Sequence, residues 1–206
     1  KKIKKGPKLN GNYSERLTKN ADDANKHDGS CTLFVVEGNS AGSLVLSCMY
    51  KLPHCDAKYG VFQLIGKIQN VTKSSEEKYL DGPIIQELIK VFGLDPLGQE
   101  QIPRNKLRYG RIVCVKDADT DGSSIMGLVL NLFFEKFKYL LYEDFFYEFI
   151  TPMTQVITNE KINSNVDQID NSDFSNFVKH EYYNMAEYKQ NVSNIRNIKT
   201  VKFLKG

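Results

Sequence analysis

Short runs of β-branched and other apolar residues alternate along this chain with longer apolar stretches that have helical spacing. The short runs predict buried strands over residues 32–36, 59–65, 111–115 and 153–158. The longer stretches predict helices over residues 40–50, 83–92 and 123–142. Strands that alternate with helices are typical of an α/β fold, so we expect a mostly parallel sheet flanked by helices.

The residues at the ends of the longer stretches support the predicted helices. Ser40 is placed to cap the first helix. Pro83 is placed to begin the second helix and Gly93 to end it. The apolar residues of the third helix, from Ser123 to Tyr142, cover most of its circumference, which predicts that it is well buried.

Changes in composition divide the chain into three predicted segments. Residues 1–30 are polar with a basic start, which is typical of an arm or linker with little structure of its own. Residues 31–158 contain the predicted strands and helices and are expected to form the main domain. Residues 159–206 are polar and Asn-rich with aromatic islands, and predict a smaller polar α/β extension at the C-terminus. The chain starts without Met and stops abruptly, so we expect an excised part of a longer polypeptide.

Composition and charge narrow the function classes only slightly. The 206 residues are 41% hydrophobic and 26% charged, as in an ordinary globular protein, and the net charge of +3 permits nucleic-acid binding without requiring it. No apolar run approaches the roughly 18 residues that a membrane span needs, so no membrane partner is expected. The four cysteines form no CxxC pair and predict buried free thiols of an intracellular protein.

The candidate chemistry is a cluster of carboxylates. Asp117, Asp119 and Asp121 alternate directly after the strand predicted over residues 111–115, and Glu37 directly follows the strand predicted over residues 32–36. Ligands of parallel sheets bind at the carboxyl ends of the strands, so these acids meet if the two strands are neighbours. Carboxylates at this spacing repel one another unless a cation lies among them, and oxygen ligands favour hard cations such as Mg²⁺.

Simpler interpretations of the acidic segment stay open on its spacing alone. It is also compatible with a solvated acidic turn that begins a helix. A calcium loop of the EF-hand type is disfavoured because its twelfth position is Leu128 instead of Glu, and because a strand precedes the motif. The phosphatase pattern DxDx[TV] fails because Asp121 occupies its last position.

Glycines and helix starts near the acids suggest a place for a phosphate. Gly38 and Gly122 each follow an acid, where glycine allows a sharp turn and a close approach of the backbone. The helices predicted to begin near Ser40 and Ser123 would direct free N–H groups at the same crevice.

Several motifs then resemble, in order and spacing, those of type II DNA topoisomerases. Residues 37–41 (EGNSA), 66–71 (GKIQNV) and 117–122 (DADTDG) are similar to the EGDSA, GKxxNV and DxDxDG motifs of that family. Residues 107–110 (LRYG), 148–152 (EFITP) and 202–206 (KFLKG) resemble segments of the eukaryotic type of enzyme. Arg108 and Tyr109 are also open to a simpler interpretation, in which they pack the end of a strand.

The resemblance implies a Toprim fold and assigns roles to matching residues. Glu37 would be a metal ligand and a general acid/base, Asp117 and Asp119 metal ligands, and Asp121 a ligand or support for a second metal. The implied cofactor is Mg²⁺, with Mn²⁺ or Ca²⁺ as substitutes. The residues implied to contact DNA are Lys67, Asn70, Ser40 and Gly122.

The resemblance also implies what surrounds this part in the complete enzyme. The family cleaves DNA with a tyrosine on a separate domain, and none of the eleven tyrosines here lies in that context. ATP would bind at another domain, outside this chain. Double-stranded DNA is the implied partner, a homodimer the implied assembly, and the nucleus or the cytoplasmic site of viral DNA replication the implied location.

Three positions depart from the family pattern. Asn39 replaces an Asp, Ile65 replaces a basic residue, and Ser124 replaces a common His.

The alternatives to this function are another Toprim enzyme, such as a primase or an OLD-type nuclease, and a non-catalytic metal-stabilised interaction module. The GKxxNV and LRYG segments argue against the first of these.

Overall fold

A computed structural model describes residues 8–9, 12–66, 68–116, 120–142, 144–159 and 177–204. The contacts divide the chain into two compact units, Lys1–Phe149 and Ile150–Gly206. The first unit contains all the motifs at the predicted strand ends.

A five-stranded sheet forms the centre of the first unit. Its strand order is β3-β5-β4-β6-β7, in which only β3 is antiparallel to its neighbour. The predicted mostly parallel α/β sheet is therefore confirmed. The strands of this unit, including a separate two-stranded hairpin of β1 and β2, are β1 (Lys8–Leu9), β2 (Asn12–Tyr13), β3 (Leu17–Lys19), β4 (Thr32–Glu37), β5 (Tyr59–Leu64), β6 (Arg111–Val115) and β7 (Phe146–Phe149).

The helices of this unit flank the sheet. They are α1 (Gly38–Met49), α2 (Cys55–Lys58), α3 (Glu76–Asp81), α4 (Pro83–Phe92) and α5 (Thr120–Lys136). As predicted, α4 begins at Pro83 and ends at Gly93, whose φ of 76° is left-handed. The prediction that Ser40 caps α1 is wrong: the helix begins two residues earlier, and Glu37 occupies the N-cap position without a side-chain capping bond.

The sheet separates two hydrophobic clusters. The larger cluster lies under α4 and α5 and includes Phe92, Phe133 and Phe145, whose ring centroids are 5.3–5.6 Å apart. The smaller cluster lies under α1 and includes Val45 and Met49. Helices therefore cover both faces of the sheet, as a parallel sheet requires.

Residues 14–30 belong to this folded unit instead of the polar arm that the sequence predicts. Leu17, Ala21 and Ala24 are fully buried in the larger cluster. Leu17 lies in β3, which pairs with β5 at the edge of the sheet. The composition of the segment misled the prediction because the segment is mostly polar and few of its residues are buried apolar side chains.

The prediction that α5 is well buried is wrong for one face of the helix. Val129, Leu132 and Phe133 are buried, but Leu130 and Phe134 are 43% and 50% exposed. The helix begins at Thr120, earlier than predicted, and ends at Lys136, where a 3₁₀ turn continues the chain.

The second unit is a three-stranded antiparallel sheet of order β10-β8-β9 with one helix. Its elements are β8 (Thr154–Asn159), β9 (Phe177–Tyr182), α6 (Met185–Val192) and β10 (Ile198–Phe203). Tyr188 of α6 packs between Tyr182 and Phe203, with ring centroids 5.6 and 5.9 Å apart. The strand β8 pairs with β9 and β10, and the unit begins at Ile150, nine residues before the predicted start at residue 159.

Two further observations concern the burial of the cysteines and the length of the apolar helices. Cys31, Cys55 and Cys114 are buried free thiols as predicted, but Cys48 is exposed. None of the helices in the described ranges combines the length and the apolarity that crossing a membrane requires.

Candidate metal and DNA-phosphate site

Three of the sequence motifs follow three adjacent parallel strands. In the order β5-β4-β6, Glu37 pairs with Leu64 of β5, and Val36 pairs with Val115 of β6. Strands in a sheet lie about 4.8 Å apart, so the segments that leave their carboxyl ends start close together. This confirms that the strands before Glu37 and before the acidic segment are neighbours.

Glu37 is the last residue of β4 and lies directly before α1. Its backbone is extended, with φ −84° and ψ 112°, and its Oε2 atom is buried. Gly38 follows with a φ of 70°, a left-handed conformation in which a β-carbon is strained. The glycine therefore allows the chain to pass from strand to helix immediately after the carboxylate.

The acidic segment follows β6 in the sequence, and its last residues lie in the first turn of α5. Asp117 and Asp119 fall outside the described residues, so their predicted role as metal ligands stays a prediction. Asp121 is exposed in the first turn of α5, and Gly122 is buried beside it. Acids in the first turn of a helix are stabilised by the helix dipole.

Lys116 fixes the start of this segment, and the sequence interpretation missed it. Its Nζ atom lies 3.2 Å from a carboxylate oxygen of Glu148 on β7 and donates a hydrogen bond of 3.2 Å to Oγ of Ser123. Lys116, directly before the acidic segment, is thus bonded to Ser123, directly after it. In the sequence, the position of Lys116 directly before the three acids was the signal that could have identified it.

Lys116 and its partners border a cleft of about 370 Å³. Apolar side chains of α5 and β7 form much of its wall, including Met126, Leu130 and Phe146. The cleft lies on the face of the sheet that α5 covers.

The GKIQNV segment leaves the end of β5. Gly66 has a left-handed φ of 93° and Ile65 is 56% exposed. Lys67 lies outside the described residues, and its predicted DNA contact stays a prediction. Asn70 is half-buried, and Val71 is buried in the larger hydrophobic cluster.

The start of α1 lies on the same edge of the sheet. Asn39 and Ser40 are exposed in its first turn. The first N–H groups of a helix have no partner within the helix and favour anions, so this turn suits a phosphate.

The donor set suits a hard cation. Glu37 and Asp121 provide carboxylate oxygens, which Mg²⁺ and Ca²⁺ prefer, and no thiol or imidazole occurs in the three motifs. Within the described ranges, which omit Asp117 and Asp119, no group of three or more His, Cys, Asp or Glu residues is arranged to hold a metal.

The LRYG segment does pack the end of a strand, as its simpler interpretation predicts. The guanidinium of Arg108 donates to the backbone oxygen of Val91 at 3.1 Å and to the side-chain oxygens of Asn20 and Asn25 at 3.1 and 2.6 Å. Its neighbour Tyr109 is fully buried. This segment therefore fastens residues 20–25 to the sheet.

Comparison with known proteins gives the same class of protein as the fold and the motifs. No protein-family model matches the chain. Over 91% of the chain, the fold matches the DNA-binding, cleavage and re-ligation domain of Plasmodium falciparum topoisomerase II, with a TM-score of 0.71 and 30% identity, and covers 24% of that chain. The fold is thus that of a part of this topoisomerase II cleavage and re-ligation domain.

Sequence relatives agree with this structural match. The chain is 38% identical over 146 residues to DNA topoisomerase 2-beta of Gallus gallus and, over the same length, 38% identical to DNA topoisomerase 2-alpha of Homo sapiens. This chain is homologous to the eukaryotic type II DNA topoisomerases. The matched part is 68% of the chain and 9% of each of these relatives.

Proposed function

We propose that this chain is the Mg²⁺-binding Toprim part of an ATP-dependent type II DNA topoisomerase. In this role it assists reversible cleavage and religation of both DNA strands, so that one duplex passes through another. The observation that carries the proposal is that the strands leading into the EGNSA, GKIQNV and DADTDG segments are neighbours in the sheet, in the order β5-β4-β6.

Each segment has its own part in the proposed site. Glu37, Asp117 and Asp119 would hold the metal, and Asp121 would support a second ion. Bound Mg²⁺ would stabilise negative charge on the scissile phosphate and the 3′ oxygen. Glu37 would also move a proton at the 3′ oxygen, as a general acid/base.

The DNA backbone would be held by the surrounding groups. Lys67 and Asn70 would contact phosphate from the segment after β5, and Ser40 and Gly122 from the first turns of two helices. These contacts position the duplex without reading its sequence.

The remaining parts of the activity lie outside this chain in the proposal. The nucleophilic tyrosine and the ATP site belong to other domains of the complete enzyme. We further propose that the complete enzyme is a homodimer that acts on double-stranded DNA, in the nucleus or at the cytoplasmic site of viral DNA replication.

The decisive experiment measures cleavage of supercoiled DNA by the complete enzyme that contains this chain. We expect Glu37→Gln to lower the cleavage rate by about 10² to 10⁴-fold, the range for loss of a general acid/base, and Asp117→Asn to lower it strongly as well. Glu100→Gln, which changes an exposed acid in a loop, is the matched control and should cleave normally.

The outcomes separate the proposal from its alternatives. Normal cleavage by Glu37→Gln would contradict the assigned site. A non-catalytic metal-stabilised module would instead lose folding stability on chelation while DNA cleavage stayed unchanged. Another Toprim enzyme, a primase or OLD-type nuclease, would show no ATP-dependent change in DNA topology.

A further inference from the structure

A side-chain cluster away from the proposed metal site joins the turn after the GKIQNV segment to α5. It consists of Thr72, in the 3₁₀ turn Val71–Lys73 after the GKIQNV segment, and of Asn131 and Glu135 on α5. We propose that Thr72 is a positioning residue for DNA cleavage, which fastens the GKIQNV segment to the helix that begins in the acidic segment.

The hydroxyl of Thr72 makes both connections. It accepts a hydrogen bond from Nδ2 of Asn131 at 2.8 Å. It donates one to Oε1 of Glu135 at 3.0 Å. A hydroxyl can donate one bond and accept others, so this geometry uses it in both directions.

Neighbouring contacts make the turn a fixed support. Val71 is buried in the larger hydrophobic cluster at 6% exposure. Oγ of Ser74 donates to the backbone oxygen of Asn70 at 2.8 Å, which braces the turn from within. The Thr72 hydroxyl bonds therefore set the position of a rigid turn relative to α5.

The turn controls where the segment before it can lie. The chain leaves β5 at Leu64, beside Glu37, and reaches the turn seven residues later. The segment between Leu64 and the turn is thus held by the sheet at its start and by α5 at its end. Asn131 lies ten residues after Asp121, which is about 15 Å along the helix axis.

Through this support, one hydroxyl sets the distance between the segment proposed to contact phosphate and the helix that carries Asp121. A change of about 1 Å in the position of reacting groups can cost two orders of magnitude in rate. Loss of one surface hydrogen-bonded support should cost less, because the buried Val71 remains in place.

The inference rests on the proposed function, and its test uses the complete enzyme. Thr72→Val removes both hydrogen bonds at nearly constant volume, whereas Thr72→Ser keeps the hydroxyl. At saturating DNA and Mg²⁺, we expect Thr72→Val to cleave about three- to tenfold more slowly. This corresponds to the net effect of about one hydrogen bond, although two are lost, because the buried Val71 still holds the turn. We expect Thr72→Ser to cleave at the normal rate.

Two further readouts distinguish positioning from loss of stability or of DNA binding. DNA affinity and the thermal midpoint of Thr72→Val should match those of the parent enzyme, because Thr72 is exposed and its effect acts on the cleavage step. Ser47→Ala is the control, since it removes an exposed hydroxyl that donates to the backbone oxygen of Ser43 in its own helix.

A double-mutant cycle provides an independent test. Asn131→Ala should slow cleavage by no more than Thr72→Val does, and the double variant should be no slower than Thr72→Val, because Thr72→Val already removes the bond that Asn131→Ala removes. Additive losses would overturn the inference.

The remaining outcomes are also decisive. Normal cleavage by Thr72→Val, or an equal loss in Thr72→Val and Thr72→Ser, would overturn the inference. The proposed function would still stand if the parent enzyme cleaves DNA and Glu37→Gln has lost that activity. Failure of the proposed function would appear differently, as normal cleavage by Glu37→Gln.

Discussion

The hydroxyl of Tyr109 donates a hydrogen bond of 2.8 Å to Oδ1 of Asn20, across 89 positions of sequence. The same hydroxyl accepts a bond of 2.9 Å from the backbone N–H of Ala21. Tyr109 is fully buried in the larger hydrophobic cluster, so its ring packs while its oxygen holds the N-terminal segment. This residue pair joins residues 14–30 to the sheet.

Tyr109→Phe should therefore destabilise the first unit. The ring and its packing remain, but the buried N–H of Ala21 loses its acceptor, and leaving such a group unsatisfied costs about 1–3 kcal/mol. Urea denaturation of the chain measures the loss. Tyr142→Phe, at a tyrosine that is 79% exposed, is the control and should leave the free energy of unfolding unchanged. Equal stability of both variants would contradict the anchoring role.

Stability should fall as the pH rises above about 9. Burial raises the pKa of Cys114 and that of Tyr109 to about 12 each, from ordinary values of 9.0 and 10.0. The unfolded chain loses these protons first, so the stabilising contribution is complete below the ordinary pKa values and is lost as the pH approaches 12.

Each group should lower the free energy of unfolding by roughly 1.4 kcal/mol per pH unit within its window. Denaturation midpoints at pH 8, 9, 10 and 11 measure this slope. Tyr109→Phe removes the contribution of the tyrosine and should give a shallower decline above pH 10. An identical slope in that variant would show that another group dominates.

A single thiol should react rapidly in the native chain. Cys48 is exposed, whereas Cys31 and Cys114 are buried and burial raises the pKa of both. Because the thiolate is the reactive form, a disulfide reagent at pH 8 should modify about one thiol quickly, and all four after denaturation. Cys48→Ser should abolish the fast phase. A second fast thiol would contradict the buried positions.

The isolated chain should bind Mg²⁺ weakly and leave supercoiled DNA intact. In the proposed function the nucleophilic tyrosine belongs to another domain, and the proposed metal site is completed by a DNA phosphate that the isolated chain would not hold. Calorimetric titration measures the binding, and gel electrophoresis of plasmid DNA measures cleavage. Glu37→Gln should weaken the binding further, while Glu100→Gln should not. Cleavage by the isolated chain would contradict the assignment of the nucleophile to another domain.

The local pattern of the sequence was sufficient for much of the fold. The strands at residues 32–36, 59–65 and 111–115 appear as predicted, and α4 lies between Pro83 and Gly93. Apolar runs and turn residues act over a few positions, so they can be read without knowing what packs against them. The order and spacing of the motifs likewise identified the family before any contact was known.

Contacts between distant residues decided the rest. The sequence placed Glu37 and the acidic segment after separate strands, but only the order β5-β4-β6 makes those strands neighbours. The anchoring of residues 14–30 by Arg108 and Tyr109, the exposed face of α5 and the pairing of β8 in the second unit depend on partners far along the chain. Periodicity records which side chains are apolar, whereas strand order and burial depend on which distant surfaces meet, and that is fixed only when the whole chain packs.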